Sequence, residues 1–149
     1  METSDLISYE CDLPVPVTDW PHLARRVSIM ETSDLISYAT HIYTDGSKMG
    51  GKVGGGVAIY MDKRLVRKCK YKVQDCCSNN QAEQIAILKS LELLPTLEYH
   101  NTRTVAIYTE SKVTLASLKN SSIHSFLTEE IRNMVGRLTM LNWTIHLGG

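Results

Sequence analysis

The chain carries no excess of either charge: 16 Lys and Arg balance 16 Asp and Glu. A whole-chain basic surplus is the usual footprint of a nucleic-acid binder, so any such binding must rest on a local patch. Long apolar runs are missing too, and stretches of a few residues leave nothing to span a membrane. Cysteine is scarce. Cys11, Cys69, Cys76 and Cys77 show neither the C-x-x-C spacing of a zinc or redox site nor the pattern of a secreted disulfide framework. They read as free thiols in a reducing compartment. The opening METSDLISYECD lacks the basic and apolar regions of a signal or transit peptide, so the expected setting is intracellular, cytoplasmic or nuclear. Proline is nearly confined to one place: three of the four (Pro14, Pro16, Pro21) fall in the first 39 residues.

What is present begins with a repeat. Met1–Tyr9 and Met30–Tyr38 both read METSDLISY, and the sequences that follow them differ. Two copies cannot make a solenoid, which needs about three stacked units. A local duplication of coding sequence, or a mis-joined gene model, accounts for the repeat better than any function. With the proline-spaced DLPVPVTDWP between the copies, residues 1–39 read as an extended linker or tail. Residues 40–149 read as the folded domain.

From Thr40 the texture changes. His41–Thr44 is a run of strand formers ending on Asp45-Gly46-Ser47, and a glycine cluster follows. Val57–Met61 and Leu65–Val73 read as two more strands joined through Met61-Asp62-Lys63-Arg64. Ser78 or Asn79 can cap a helix whose apolar residues (Ala82, Ile85, Ala86, Leu88, Leu91) recur at helical spacing until Pro95. Thr104–Thr109 reads as a buried strand, and Ser111 caps a short helix. Leu127, Ile131, Met134, Leu138 and Leu141 mark one face of a third helix, and Asn142–Leu147 is again strand-like. The order β-β-β-α-β-α-α-β predicts an antiparallel meander followed by parallel strands, a mixed sheet with helices packed on it.

Three carboxylates fall where such a fold could bring them together. Asp45 ends the first of these strands, Glu83 lies in the first turn of the long helix, and Glu110 ends the fourth strand. Oxygen-only clusters suit Mg²⁺ or Mn²⁺. Two such ions about 3.5–4 Å apart can activate a water and steady the leaving oxygen of a phosphodiester. Each residue alone has a plainer role: Asp-Gly-Ser is ordinary turn chemistry, and a first-turn glutamate complements the helix dipole. Lys63–Lys72 (KRLVRKCKYK) reads equally as a phosphate-tracking patch or as a strand whose lysines prevent edge pairing. Trp20 and Trp143 fit linker placement and core packing better than base stacking.

HIYTDGSK, SNNQAEQIAIL and VAIYTES resemble three sequence blocks of type-1 ribonuclease H, in particular the versions of non-LTR retrotransposon polyproteins. The resemblance runs from about Thr40 to the last residue. It implies a five-stranded mixed sheet, and an endonuclease in which four carboxylates hold two Mg²⁺ ions that hydrolyse the RNA strand of an RNA–DNA hybrid. By position it makes Asp45, Glu83 and Glu110 catalytic metal ligands, Glu110 standing where the family has aspartate. It makes Asn79, Asn80 and Gln81 the residues that meet the hybrid's minor groove, whose 2′-hydroxyls amides can recognise. His146 lies within the last strand, too early to match the family's loop histidine. The family's closing helix, with its fourth carboxylate, has no counterpart, which leads us to expect a C-terminally truncated domain of marginal stability with one sheet face bare. The alternative function is a non-catalytic retroelement remnant that keeps the fold and weak duplex binding.

Overall fold

A computed structural model describes residues 7–12 (backbone only), 40–61, 63–97, 103–120, 122 and 125–148. Six strands form one sheet: β1 (Ile7–Asp12), β2 (Thr40–Met49), β3 (Lys52–Met61), β4 (Arg64–Val73), β5 (Thr104–Tyr108) and β6 (Thr144–Gly148). Their order across the sheet is β1-β4-β3-β2-β5-β6. The β2–β3–β4 meander is antiparallel, and β5 and β6 add in parallel on the far side of β2. This is the expected five-stranded mixed sheet. To it β1 adds an antiparallel edge strand on β4, from a segment read as tail. The first METSDLISY copy supplies its opening residues, Ile7 to Tyr9; the second copy and Trp20 lie outside the described residues.

Local chemistry explains the elements. Gly50 and Gly51 turn the β2–β3 hairpin with φ of 59° and 78°, the left-handed backbone that a two-residue hairpin turn needs and that glycine adopts without a Cβ clash. The first helix, α1 (Asn79–Leu93), starts with a capping box. Ser78 accepts from the Gln81 amide, and the Gln81 side chain accepts from the Ser78 amide. Pro95 closes it through a 3-10 turn, Leu94–Thr96. Ser111 caps α2 (Lys112–Lys119) by accepting from the Thr114 amide, and α3 (Phe126–Met140) follows.

Strand alternation sorts the core. Ile42, Val57, Ile59, Val105 and Ile107 face Ile87, Leu88 and Leu91 of α1 and Ile131 and Leu138 of α3. Burial of every residue from Ala82 to Leu91 except Lys89 makes α1 the central helix, wedged between the sheet and α3. At roughly 1.5–3 kcal/mol per fully buried aliphatic side chain, this layer dominates folding. The fold was expected to leave one sheet face bare, yet the surface opposite the helices is also buried: Tyr43, Ala58, Tyr60, Ala106 and Tyr108 form a second cluster there. Leu141, expected on the apolar face of α3, is exposed just past its end.

Candidate nucleic-acid site

The acidic residues come from neighbouring strands, but Asp45 does not end its strand as read from the sequence. β2 runs on to Met49 because Asp45 to Met49 keep pairing with β3, and only Glu110 lies past a strand end. Tyr43 of β2 pairs with Tyr108 of β5 in parallel register, so Asp45 and Glu110 each lie two residues beyond the same rung. Between them the chain presents Thr44 and Thr109, both buried. Alternation turns these threonines toward α1, where they meet Glu83. Thr44 Oγ1 donates to Glu83 Oε1 at 2.5 Å, and Thr109 Oγ1 donates to the same oxygen at 2.6 Å. The Tyr108 carbonyl is 3.2 Å from the Thr44 hydroxyl, and the Ser111 amide donates to Thr109 at 3.1 Å. The β6 end is tied in as well, through the Thr109 amide and the Gly148 carbonyl at 2.9 Å.

Helix α1 reaches this position because Gly46 lets it. A Cβ on Gly46 would sit 2.4 Å from the Glu83 amide nitrogen and 2.8 Å from the Ala82 carbonyl carbon, which no side chain tolerates. The glycine of Asp-Gly-Ser therefore serves close packing of helix on strand, beyond any turn role.

The three acidic residues predicted for the site thus lie on adjoining elements, but in two environments. Glu83 is buried and bonded to two threonines, while Asp45 within β2 and Glu110 just past β5 are exposed. Among the described residues no three His, Cys, Asp or Glu side chains are gathered closely enough to hold a metal ion. The donor chemistry, carboxylate oxygen throughout, fits Mg²⁺ or Mn²⁺, but the side chains are not drawn together. His146 lies in β6, as read from the sequence.

The three amide residues assigned to substrate sit at the start of α1. Asn80 Oδ1 accepts from Ser111 Oγ at 3.2 Å, joining α1 to the start of α2 beside Glu110. Gln81 holds the capping box, with its side-chain oxygen taken by the Ser78 amide at 2.8 Å. Its NH₂ is the group left to donate outward. Asn79 is exposed.

The basic run does not form one face. Lys72 donates to the carbonyls of Val53 and Val73 and pairs with Asp75 at 2.6 Å. Arg67 reaches Thr96 beyond the end of α1, and Lys68 is buried. Folding instead gathers Lys48 and Lys52, from either side of the hairpin turn, toward Lys72. Lys72, by its hydrogen bond and its charge, and then Lys52 and Lys48 hold the Asp75 carboxyl below its usual value. Sequence reasoning passed over Lys48 and Lys52, because only the hairpin pairing brings them near the start of α1. The Cys77 thiol there is pushed up, first by burial and then by neighbouring Cys76. Trp143 is a core residue under the Arg103 guanidinium, 5.6 Å from the ring centroid.

The sequence profile of the RNase H family matches residues 37–141, and the chain belongs to that family. No curated protein matches the sequence. Among solved structures, LC11-RNase H1 in complex with RNA/DNA hybrid is similar at a TM-score of 0.56 and 22% identity, over 72% of this chain and 82% of that one. The foamy viral protease-reverse transcriptase in complex with dsDNA is similar at 0.55 and 16%, over 76% and 83%. The N-terminal RNase H domain of a Mycobacterium tuberculosis protein is similar at 0.53 and 14%, over 74% and 85%. At these identities the likeness is one of fold. The chain is a ribonuclease-H-type nucleic-acid domain.

Proposed function

We propose that this domain takes an RNA–DNA hybrid across Asp45 in β2, the end of β5 and the start of α1, and that its reaction is metal-dependent hydrolysis of the RNA strand. The parallel β2–β5 register carries the reading, because it puts Asp45 and Glu110 at equivalent steps on either side of the threonines that hold Glu83. Asp45, Glu83 and Glu110 are the residues that would hold Mg²⁺ or Mn²⁺. Bound there, the metal supplies activation of a water and stabilisation of the leaving oxygen. Asn79, Asn80 and the Gln81 NH₂ present amides to minor-groove 2′-hydroxyls, which separate an RNA strand from DNA. Lys48 and Lys52 add sequence-independent attraction for phosphates beside them. Family membership and a neighbour solved with RNA/DNA hybrid support this substrate class.

A specific observation favours a second reading, duplex binding without cleavage. Glu83 Oε1 is already shared by two threonine hydroxyls, and Glu110 carries one methylene more than the family's aspartate, roughly 1.5 Å of added reach. Mg²⁺ demands near-ideal octahedral geometry, so neither feature is neutral. One experiment separates the two: incubation of a labelled hybrid with the chain in Mg²⁺ and in Mn²⁺, beside an Asp45→Ala control. Cleavage that disappears in the control establishes the hydrolase. Intact hybrid that is nonetheless retarded by folded protein establishes the binding domain, and neither cleavage nor retardation removes both.

A further inference from the structure

Adjacent Cys76 and Cys77 lie in the turn that leads into α1, and neither takes part in the proposed site. The Cys77 amide closes this turn by donating to the Gln74 carbonyl at 3.0 Å. The two thiols have opposite surroundings. Cys76 is exposed, whereas Cys77 keeps 1% of its surface and packs among Val53, Val73, Ala82, Ile85 and Leu127. Those neighbours belong to β3, β4, α1 and α3, so the Cys77 side chain pins the start of α1 to the rest of the fold. Ser78, the helix cap, comes next in the chain, and Asn79, Asn80 and Gln81 follow it.

The turn is also cationic. Lys72 pairs with Asp75 inside it, and Lys48 and Lys52 act on the same carboxylate from the hairpin. Positive charge favours the thiolate, which is the form a peroxide oxidises, and exposure makes Cys76 the thiol a peroxide meets first. We propose that Cys76 and Cys77 are a peroxide-responsive dithiol that closes to a disulfide between adjacent residues and so releases the start of α1. In the first step the Cys76 thiolate attacks one peroxide oxygen. The O–O bond breaks, Cys76 becomes a sulfenic acid, and the departing hydroxide takes up the thiol's proton as water. The Cys77 sulfur then attacks that of Cys76. The S–S bond forms, the S–O bond breaks, and the hydroxyl leaves with the Cys77 proton as a second water. Geometry couples this bond to the fold. Consecutive Cα atoms lie about 3.8 Å apart, short of the roughly 4.4–6.8 Å usual for bridged cysteines, so the bond is strained and readily reduced. To reach its exposed neighbour the Cys77 sulfur must leave its apolar pocket, and the vacated space costs the start of α1 its packing. A transient disulfide of this kind is compatible with a reducing compartment. Its effect on a duplex rests on the proposed function, which sets Asn79, Asn80 and Gln81 against the hybrid; the bond and the helix release do not.

The test treats the full chain with hydrogen peroxide and follows peptide masses and amide hydrogen exchange. The peptide that holds Cys76 and Cys77 should become lighter by two hydrogens, and the amides at the start of α1 should exchange faster, both reversed by dithiothreitol. A chain with Cys11→Ser and Cys69→Ser should form the same bond, whereas Cys76→Ser or Cys77→Ala should abolish it. Oxidation that stops at a Cys76 sulfenic or sulfinic acid, or that joins two chains, would overturn the proposal. So would a bond that forms without faster exchange. A labelled hybrid offered to both forms should bind the oxidised chain about tenfold more weakly and recover with dithiothreitol. Bond and release in a chain that retards no hybrid in either form would uphold this proposal and count against the proposed function alone.

Discussion

Glu83 and Asp45 are both acidic residues of the proposed site, yet they live in opposite surroundings. The Glu83 half is dry: helix backbone presses on Gly46, and two threonine hydroxyls hold one carboxylate oxygen. The Asp45 and Glu110 half is wet, with both residues exposed. The contrast shows how one motif serves two purposes. The buried half fixes where helix and strands meet, and stability depends on it. The open half is the part that the proposed function exposes to a ligand.

Substitutions should separate the halves. The largest effect is expected at Gly46→Val, because the added carbons have only the α1 backbone to move into. Overpacking of this kind costs about 1–3 kcal/mol, and here the upper end is expected in urea unfolding. Thr109→Val keeps the volume but leaves the buried Glu83 carboxylate short of a donor, a loss of about 1–3 kcal/mol in the same assay. An unchanged midpoint would mean the two hydroxyl bonds are not what seats Glu83. Asp45→Asn and Glu110→Gln should each move stability by less than about 0.5 kcal/mol, as surface changes do. They should also weaken any stabilisation by added Mg²⁺ or Mn²⁺, read as a shift in melting temperature. Stability falling as much as in Thr109→Val would erase the distinction between the halves.

The smallest effect concerns pH. Because Asp75 titrates below its usual value when folded, its pairing with Lys72 contributes above the ordinary carboxylate range and is lost as pH falls through the lowered value. The group is exposed, so only a slight narrowing between wild type and Asp75→Asn is expected in melts taken through the acid range.

Much of this was legible in the sequence, for identifiable reasons. The helix starts at Ser78 and Ser111 follow from hydroxyl capping, and the β2–β5–β6 parallel set follows from helices interposed between strands. Asp45, Glu83 and Glu110 could be placed on adjoining elements from their motifs, but their positions were read too near the element ends: Asp45 is in mid-β2, and Glu83 lies past the first turn of α1, which holds no acidic residue. Hidden from it were facts that depend on pairing across the chain. Strand β1 carries no alternation strong enough to distinguish it from a tail and exists by virtue of the β4 edge. Thr44 and Thr109 look like ordinary strand residues until their register puts both against Glu83. KRLVRKCKYK looks like one patch until the alternation and irregular register of β4 divide it between two surfaces.

The two borders of the sheet are unlike, and this governs how copies would associate. Among the described residues β6 pairs only with β5, leaving its outer row of amides and carbonyls facing away from the sheet. Two chains joined β6 to β6 would share a two-fold axis and stop at a pair. A chain joined instead by β6 to the β1 border of the next would offer the same unmatched ends again at each addition. Growth would then be head to tail and without a natural limit, so the choice of border decides between a closed dimer and a filament.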